Sequence, residues 1–322
     1  MPDLNIGGQA VIEGVMMRGK DKVATAVRLP DGRILVKTEA YRSLTGRHKI
    51  LGLPLVRGAI AFVEMLIIGI RTLNFSADVA MKELEKDKAA KTGRDSTPEE
   101  SQSHTVWLVI SAVLAVGLGV LLFFFVPLAV SSLFGFNKNA VWFNLAAGGI
   151  RLTMFVAYVW ALSLVGEFRR IFEYHGAEHK SIYAYEMNAD LSPQAAARHT
   201  RFHPRCGTSF ILIVALLAVM VYAVSDTVYA LLTGHAPTLA TRFAVHFSLL
   251  PLVAGGSYEL LKLSGRTREN KITRVLIQPG LWLQKITTRE PSLHQLEVAI
   301  VALESVLGVT ESKVQAERAA VS

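Results

Sequence analysis

VWLVISAVLAVGLGVLLFFFVPLAVSSLF, residues 106–134, runs from Val106 to Phe134 without a charged side chain. A hydrocarbon core of about 30 Å needs roughly 20 helical residues, so this stretch is long enough to cross a bilayer as one helix. Three more apolar runs follow it. Val141 to Val165 is interrupted by Arg151, Ser209 to Leu232 by Asp226, and Phe243 to Leu263 holds His246, Glu259 and Lys262. Four transmembrane helices are therefore expected, in a mainly α membrane protein. Composition agrees: 51% of residues are hydrophobic and 19% charged, with a mean hydropathy of +0.37. A soluble chain of this size is less apolar.

The net charge of +8 is spread beside the apolar runs rather than gathered in one block. It therefore argues for membrane topology, with the lipid bilayer as partner and no nucleic acid. Residues 135–140 and 233–242 carry one basic residue each, whereas Arg169, Arg170, Lys180, Arg198, Arg201 and Arg205 crowd the loop 166–208. The positive-inside rule puts that loop and both termini in the cytoplasm. The first thirty residues contain no continuous apolar stretch of the secretory type. The single cysteine, Cys206, excludes an intramolecular disulfide and suits a reducing compartment.

Residues 1–82 read as a small cytoplasmic β-containing unit followed by an interfacial or re-entrant helix. Gln9 to Met17 is one short apolar stretch, in which Glu13 either reaches the metal region or holds an arginine, with structural pairing favoured. Val23 to Leu29 and Ile34 to Lys37 flank Pro30-Asp31-Gly32 as a hairpin. Leu51 to Ile70 is apolar apart from Arg57 and Glu64, and its glycines and Pro54 favour the interface over a fifth crossing. Residues 83–104 are too polar to bury a core and read as a mobile linker. Residues 105–265 form the four-span domain, and 266–322 a cytoplasmic C-terminal segment. There Pro279-Gly280 should break the chain, and Leu281-Trp282-Leu283 should anchor the interface. A capping box at Ser292 and Gln295 should open a helix striped with Leu293, Leu296, Ile300, Leu303 and Leu307. The last dozen residues should fray.

The chemistry concentrates in Tyr174-His175-Gly176-Ala177-Glu178-His179-Lys180. His175, Glu178 and His179 stand at i, i+3 and i+4, so they share a helix face. The spacing is that of the inverted zinc peptidases, in which two His bind metal and the Glu activates water. Those enzymes are large soluble domains, so that likeness stops at the motif. His203-Pro204-Arg205-Cys206 lies at the far end of the same loop and offers an N and an S ligand of the kind Zn²⁺ accepts. Glu259, near the inner end of the fourth run, needs a cation or a proton and is a further candidate ligand. The plainer alternative makes these interfacial side chains with ordinary hydrogen bonds and Cys206 a small buried residue. The two isolated intramembrane charges suggest a pair. Arg151 lies roughly 21 Å, and Asp226 roughly 24 to 26 Å, from the cytoplasmic end of its helix at about 1.5 Å per residue. They should form an ion pair towards the outer leaflet, with His246 as a candidate third member; the plainer alternative is that both snorkel separately to the outer headgroups.

Residues 7–19 (GGQAVIEGVMMRG), 174–180, 203–210 (HPRCGTSF) and 279–284 (PGLWLQ) together resemble a bacterial family of uncharacterised multi-pass membrane proteins, the YqhQ-like family. The resemblance implies a bacterial inner-membrane location but no reaction, and His199 lies outside its strings. Three classes stay open. One is a membrane metallohydrolase using His175, His179 and one of His203, Cys206 or Glu259 as ligands, with Glu178 as general base. Another is a transporter of a small solute or metal ion. The third is a non-enzymatic structural or regulatory factor in which a closed site staples the loop.

Overall fold

The computed structural model describes residues 6–46, 50–92, 101–135, 139–266 and 270–309. Strands β1 (Gly7–Val11), β2 (Gly14–Arg18), β3 (Lys22–Arg28) and β4 (Ile34–Ala40) form an antiparallel meander in chain order. The expected β3–β4 hairpin is present, closed by Leu29 N–H to Arg33 O at 2.8 Å, with Gly32 in the left-handed region at φ +88°. The stretch from Gln9 to Met17 is two strands rather than one, because the chain reverses at Ile12-Glu13 and sets Val11 opposite Gly14. Glu13 adopts φ +53° there. Neither turn residue is a Gly or Asn, so the usual turn signal is missing.

Alternation along the strands gives the sheet two buried faces. Val15, Met17 and Ala26 pack against α5 (Gly166–Glu186) and α11 (Leu293–Leu307) through Tyr174, Ala177, Leu296, Ile300 and Leu303. Val11, Met16, Val23 and Val27 pack against Met65, Ile68, Phe75 and Val79 of α1 (Val56–Thr92). The apolar run at 51–70 is thus the start of a long helix that covers the sheet. The same helix occupies 83–92 of the expected linker, and α2 (Ser101–Val120) begins at 101. The rest of that linker and the expected frayed C-terminus lie outside the described residues.

Among the described residues, three helical segments are long and apolar enough to cross a membrane: Val113–Leu133, α4 (Ala140–Leu162) and α7 (Gly207–Thr233). Their outward faces are bare; Leu133, Leu231 and Leu232 are 86%, 79% and 81% exposed. Apolar surface on that scale suits lipid rather than water. The first segment passes from α2 through a π-helical turn, Leu121–Phe125, into α3 (Val126–Leu133). Pro127 explains part of this, since it lacks the N–H that would bond the carbonyl of Phe123.

The fourth expected span is two helices, α8 (Leu239–Ser248) and α9 (Leu250–Arg266), bent by 48°. Pro251 sits at the break and cannot donate to the preceding turn. α9 crosses α1 closely, because a Cβ on Gly255 would stand 2.2 Å from Leu55 O and one on Gly58 2.8 Å from Gly255 O. In contrast to expectation, α10 (Lys271–Thr287) runs unbroken through Pro279. Gly280 lets α10 lie against the start of α7, where a Cβ would meet Ser209 Oγ at 2.5 Å. The short helix α6 (Pro193–Ala197) completes the loop after α5, and the Ser292/Gln295 capping box opens α11 as expected.

Candidate metal centre

α5 carries His175, Glu178 and His179 toward the start of α7, where Cys206 is the N-cap and its Sγ accepts from Thr208 N–H at 3.5 Å. Gly176, which costs an isolated helix about 1 kcal/mol relative to Ala, is explained by the neighbouring chain. A Cβ there would stand 2.0 Å from Arg289 O, whose residue also donates its N–H to Phe172 O at 2.8 Å. The glycine lets the segment after α10 press onto the motif helix.

The nitrogens of His175 and His179 and the sulfur of Cys206 all lie within 4.8 Å of one another. His175 Nε2 is 3.2 Å from Cys206 Sγ, and its Nδ1 is 2.8 Å from Thr287 O. His179 Nδ1 is 2.5 Å from Arg201 O. A carbonyl oxygen can only accept, so both Nδ1 atoms donate, which leaves Nε2 of each ring as the nitrogen available to a metal. His179 Nε2 is buried and has no hydrogen-bond partner. The two rings meet edge to face with centroids 4.5 Å apart.

Charge follows this geometry. Burial alone would strip the proton from His175, but the Cys206 thiolate beside it, with Glu178 and the Thr287 carbonyl, lifts the imidazole to about 9. Burial opposes ionisation of Cys206 too, yet His175 and His179 hold the thiol well below its ordinary value. Glu178 is buried, and that burial pushes its carboxyl up while His175 and His179 pull it back. Its carboxylate receives the Gly8 N–H. A Cβ on Gly8 would collide with Glu178 Cγ at 2.8 Å, so β1 closes the rear of the site.

The other expected ligands are placed elsewhere. His203 is buried behind His179, ring centroids 5.6 Å apart, but its Nε2 faces Glu186 Oε1 at 3.4 Å. Gln284 of α10 fixes it there, accepting the His203 N–H and donating to its carbonyl, both at 2.8 Å. Glu186 is also bonded by Arg205. Glu259 is held by Arg57, Nε at 2.6 Å and Nη2 at 2.5 Å, so it is not a ligand of the cluster. The close α1–α9 crossing supplies that cation. His199 stacks on Tyr183, centroids 6.5 Å apart. Glu13 pairs with Arg170 Nε at 2.5 Å, as expected for a structural acid.

The expected Arg151–Asp226 pair is replaced by a different set. Asp226 Oδ2 accepts from Asn144 Nδ2 at 2.8 Å and lies 3.2 Å from Arg242 Nε, while Oδ1 meets His246 Nε2 at 2.9 Å. Arg151 Nε donates to Phe123 O at 2.7 Å, the carbonyl that Pro127 leaves without a helical donor. A depth count alone left out the face on which each side chain lies, and Arg242 stood outside the expected span.

Sequence reasoning missed the Thr287 and Arg201 carbonyls that orient the two histidines, and Gln284, although Gln284 closes the 279–284 string. The family model described as Protein of unknown function (DUF1385) matches residues 53–309. A relative from Bacillus subtilis (strain 168), described as Uncharacterized protein YqhQ, is 33% identical over 316 residues, covering 94% of this chain and 92% of the relative. No solved structure matches. The matched stretch takes in α5, Cys206 and α10, the elements that bear and brace the His/Cys cluster, and the chain belongs to the DUF1385 family of proteins of unknown function.

Proposed function

We propose that this is an integral protein of the bacterial inner membrane, with the loop 166–208 and both termini in the cytoplasm, and that it holds a divalent transition metal, Zn²⁺ first, on His175, His179 and Cys206. The observation that carries this reading is the pair of backbone contacts: each histidine donates Nδ1–H to a carbonyl, which leaves its Nε2 free to serve as a ligand in the group with Cys206. Metal-binding imidazoles are oriented in this manner by a carbonyl or carboxylate on the remote nitrogen. Two N and one S are ligand types that zinc takes, and a three-ligand set leaves a fourth position for water or substrate. The basic loop supports the orientation in the membrane.

The reaction class we favour is hydrolysis. Bound Zn²⁺ would act as a Lewis acid and lower the pKa of a water. Glu178 is the proton acceptor in this reading: it projects from the same helix face, and burial raises its carboxyl toward the range a general base needs. His175 and His179 orient, and the Gly8 N–H holds the carboxylate in place.

Cobalt substitution tests the open position. Co²⁺-loaded protein should show thiolate charge-transfer absorption, and its d–d bands should shift on adding azide in both the wild type and Glu178→Gln. Bands that ignore azide would mean a closed, stapling site and would overturn the hydrolytic reading.

A further inference from the structure

A second polar centre lies at the other end of α7. Asp226 is twenty residues beyond Cys206, about 30 Å along a helix at 1.5 Å per residue. Asn144, Asp226, Arg242 and His246 are all nearly sealed, at 3%, 1%, 2% and 0% exposure. Their walls are aromatic: Tyr222 stacks on His246 with centroids 4.1 Å apart, and the Arg242 guanidinium lies 3.4 Å from the Phe143 ring centre. Phe124 joins this group to Arg151, whose guanidinium stands 5.1 Å from its ring, while Phe124 also meets Tyr222 and Phe243.

Three features of this centre point to a ligand. Charges do not balance: Arg242 pairs with Asp226, whereas Arg151, packed on Phe124, meets no carboxylate among the described residues. Polar atoms are left over as well: the donors Arg242 Nε and Nη2 and Arg151 Nη2, and the ring nitrogen His246 Nδ1, are buried without a hydrogen bond. Arg242 Nε approaches Asp226 at 3.2 Å but off the line of its N–H. The backbone is irregular on both sides, with the π turn Leu121–Phe125 beside Arg151 and the break after His246 between α8 and α9. Irregular backbone at membrane depth is found where it is buried or lines a site, π turns recur at functional sites, and broken spans build the ion and substrate sites of transporters.

We propose that Asn144, Asp226, Arg242 and His246, with Arg151 supplying the surplus positive charge, form an intramembrane binding site for an oxyanion. Guanidinium groups with free N–H donors match phosphate oxygens, in pairs where geometry allows. Asp226 orients Arg242 and His246 and keeps the site from carrying two unbalanced cations. The oxyanion can come from free phosphate or from the phosphate of a lipid headgroup, because Asp226 is seven residues from the end of α7, about 10 Å from that surface.

Thermal unfolding of the purified full chain in dodecyl maltoside separates these sources. One arm titrates sodium phosphate against sodium chloride at matched ionic strength; the other adds phosphatidylglycerol against diacylglycerol. A saturable rise in Tm is expected in at least one arm, and which arm responds names the source. Arg151→Gln leaves every partner of Asp226 in place, and it should raise the half-saturating concentration tenfold or more. Arg242→Lys, which keeps the charge and loses the fork, should do the same; if that variant does not fold, Arg151→Gln decides alone. No specific rise in either arm for the wild type, or an equal rise in the Arg151→Gln protein, would overturn the proposal.

Discussion

His175 and Cys206 illustrate what single residues disclose. Their identity and their places at two ends of one loop were legible in the sequence, and the structure brings Nε2 and Sγ to 3.2 Å. His203 and Glu259 have the same ligand chemistry, yet each is claimed by a nearer partner, Glu186 and Arg57. Residue type gives the capacity to bind, whereas the competing partners come from other parts of the chain. The His175–Cys206 contact predicts a pH dependence for metal-free protein. His175, raised from 6.5 to about 9, stabilises the fold fully below pH 6.5 and loses that contribution as pH rises through about 9. Cys206, held well below 9.0, contributes above pH 9 and loses its contribution as pH falls through its folded value. Where the folded chain alone holds the imidazole protonated and the thiol ionised, one group has gained a proton and the other has lost one, so their slopes oppose each other. On the acid side the thiol makes stability fall as pH falls, and Glu178, whose carboxyl burial raises, opposes that fall. Denaturant unfolding across pH 5 to 9 checks this, with Cys206→Ser expected to remove the acid slope.

At the scale of elements, patterning predicted the apolar helices, the β3–β4 hairpin and the capped α11, because each has a local signal: a long apolar run, Asp31-Gly32, or Ser292 with Gln295. The reversal at Ile12-Glu13 has none. Prolines mislead in both directions, since Pro251 marks a real break while Pro279 is carried within α10. That carry-through matters for the site. α10 delivers Gln284 to both backbone groups of His203 and the Thr287 carbonyl to His175, so it is the brace of the cluster. Gln284→Leu keeps the bulk and removes these bonds. It should cost about 1 kcal/mol of stability for each net hydrogen bond lost and weaken metal affinity roughly 10- to 100-fold, as loss of orienting partners does. Competition with a chromophoric chelator measures the second effect; affinity equal to wild type would show that α10 is a passive neighbour.

Over the whole molecule, the sheet is clasped between α1 and the α5/α11 pair, and its β1 edge reaches Glu178, so the N-terminal unit and the helical domain meet at the candidate metal centre. This meeting was illegible in the sequence, because Gly8 and Glu178 are far apart in the chain and carry no shared pattern. The distant Asp226 centre was half legible: isolated charges in apolar runs announce that partners exist, while the choice of Arg242 over Arg151 depends on how α8 turns back after the loop. His175, His179 and Cys206 are proposed to hold one metal ion. X-ray absorption spectroscopy of protein purified with its metal, beside elemental analysis, tests it most directly. One ion per chain is expected, with nitrogen neighbours at about 2.0 to 2.1 Å and a single sulfur at about 2.3 Å, and with the sulfur shell absent in Cys206→Ser. A chain without stoichiometric metal, or a shell of oxygen and nitrogen unchanged in Cys206→Ser, would contradict it.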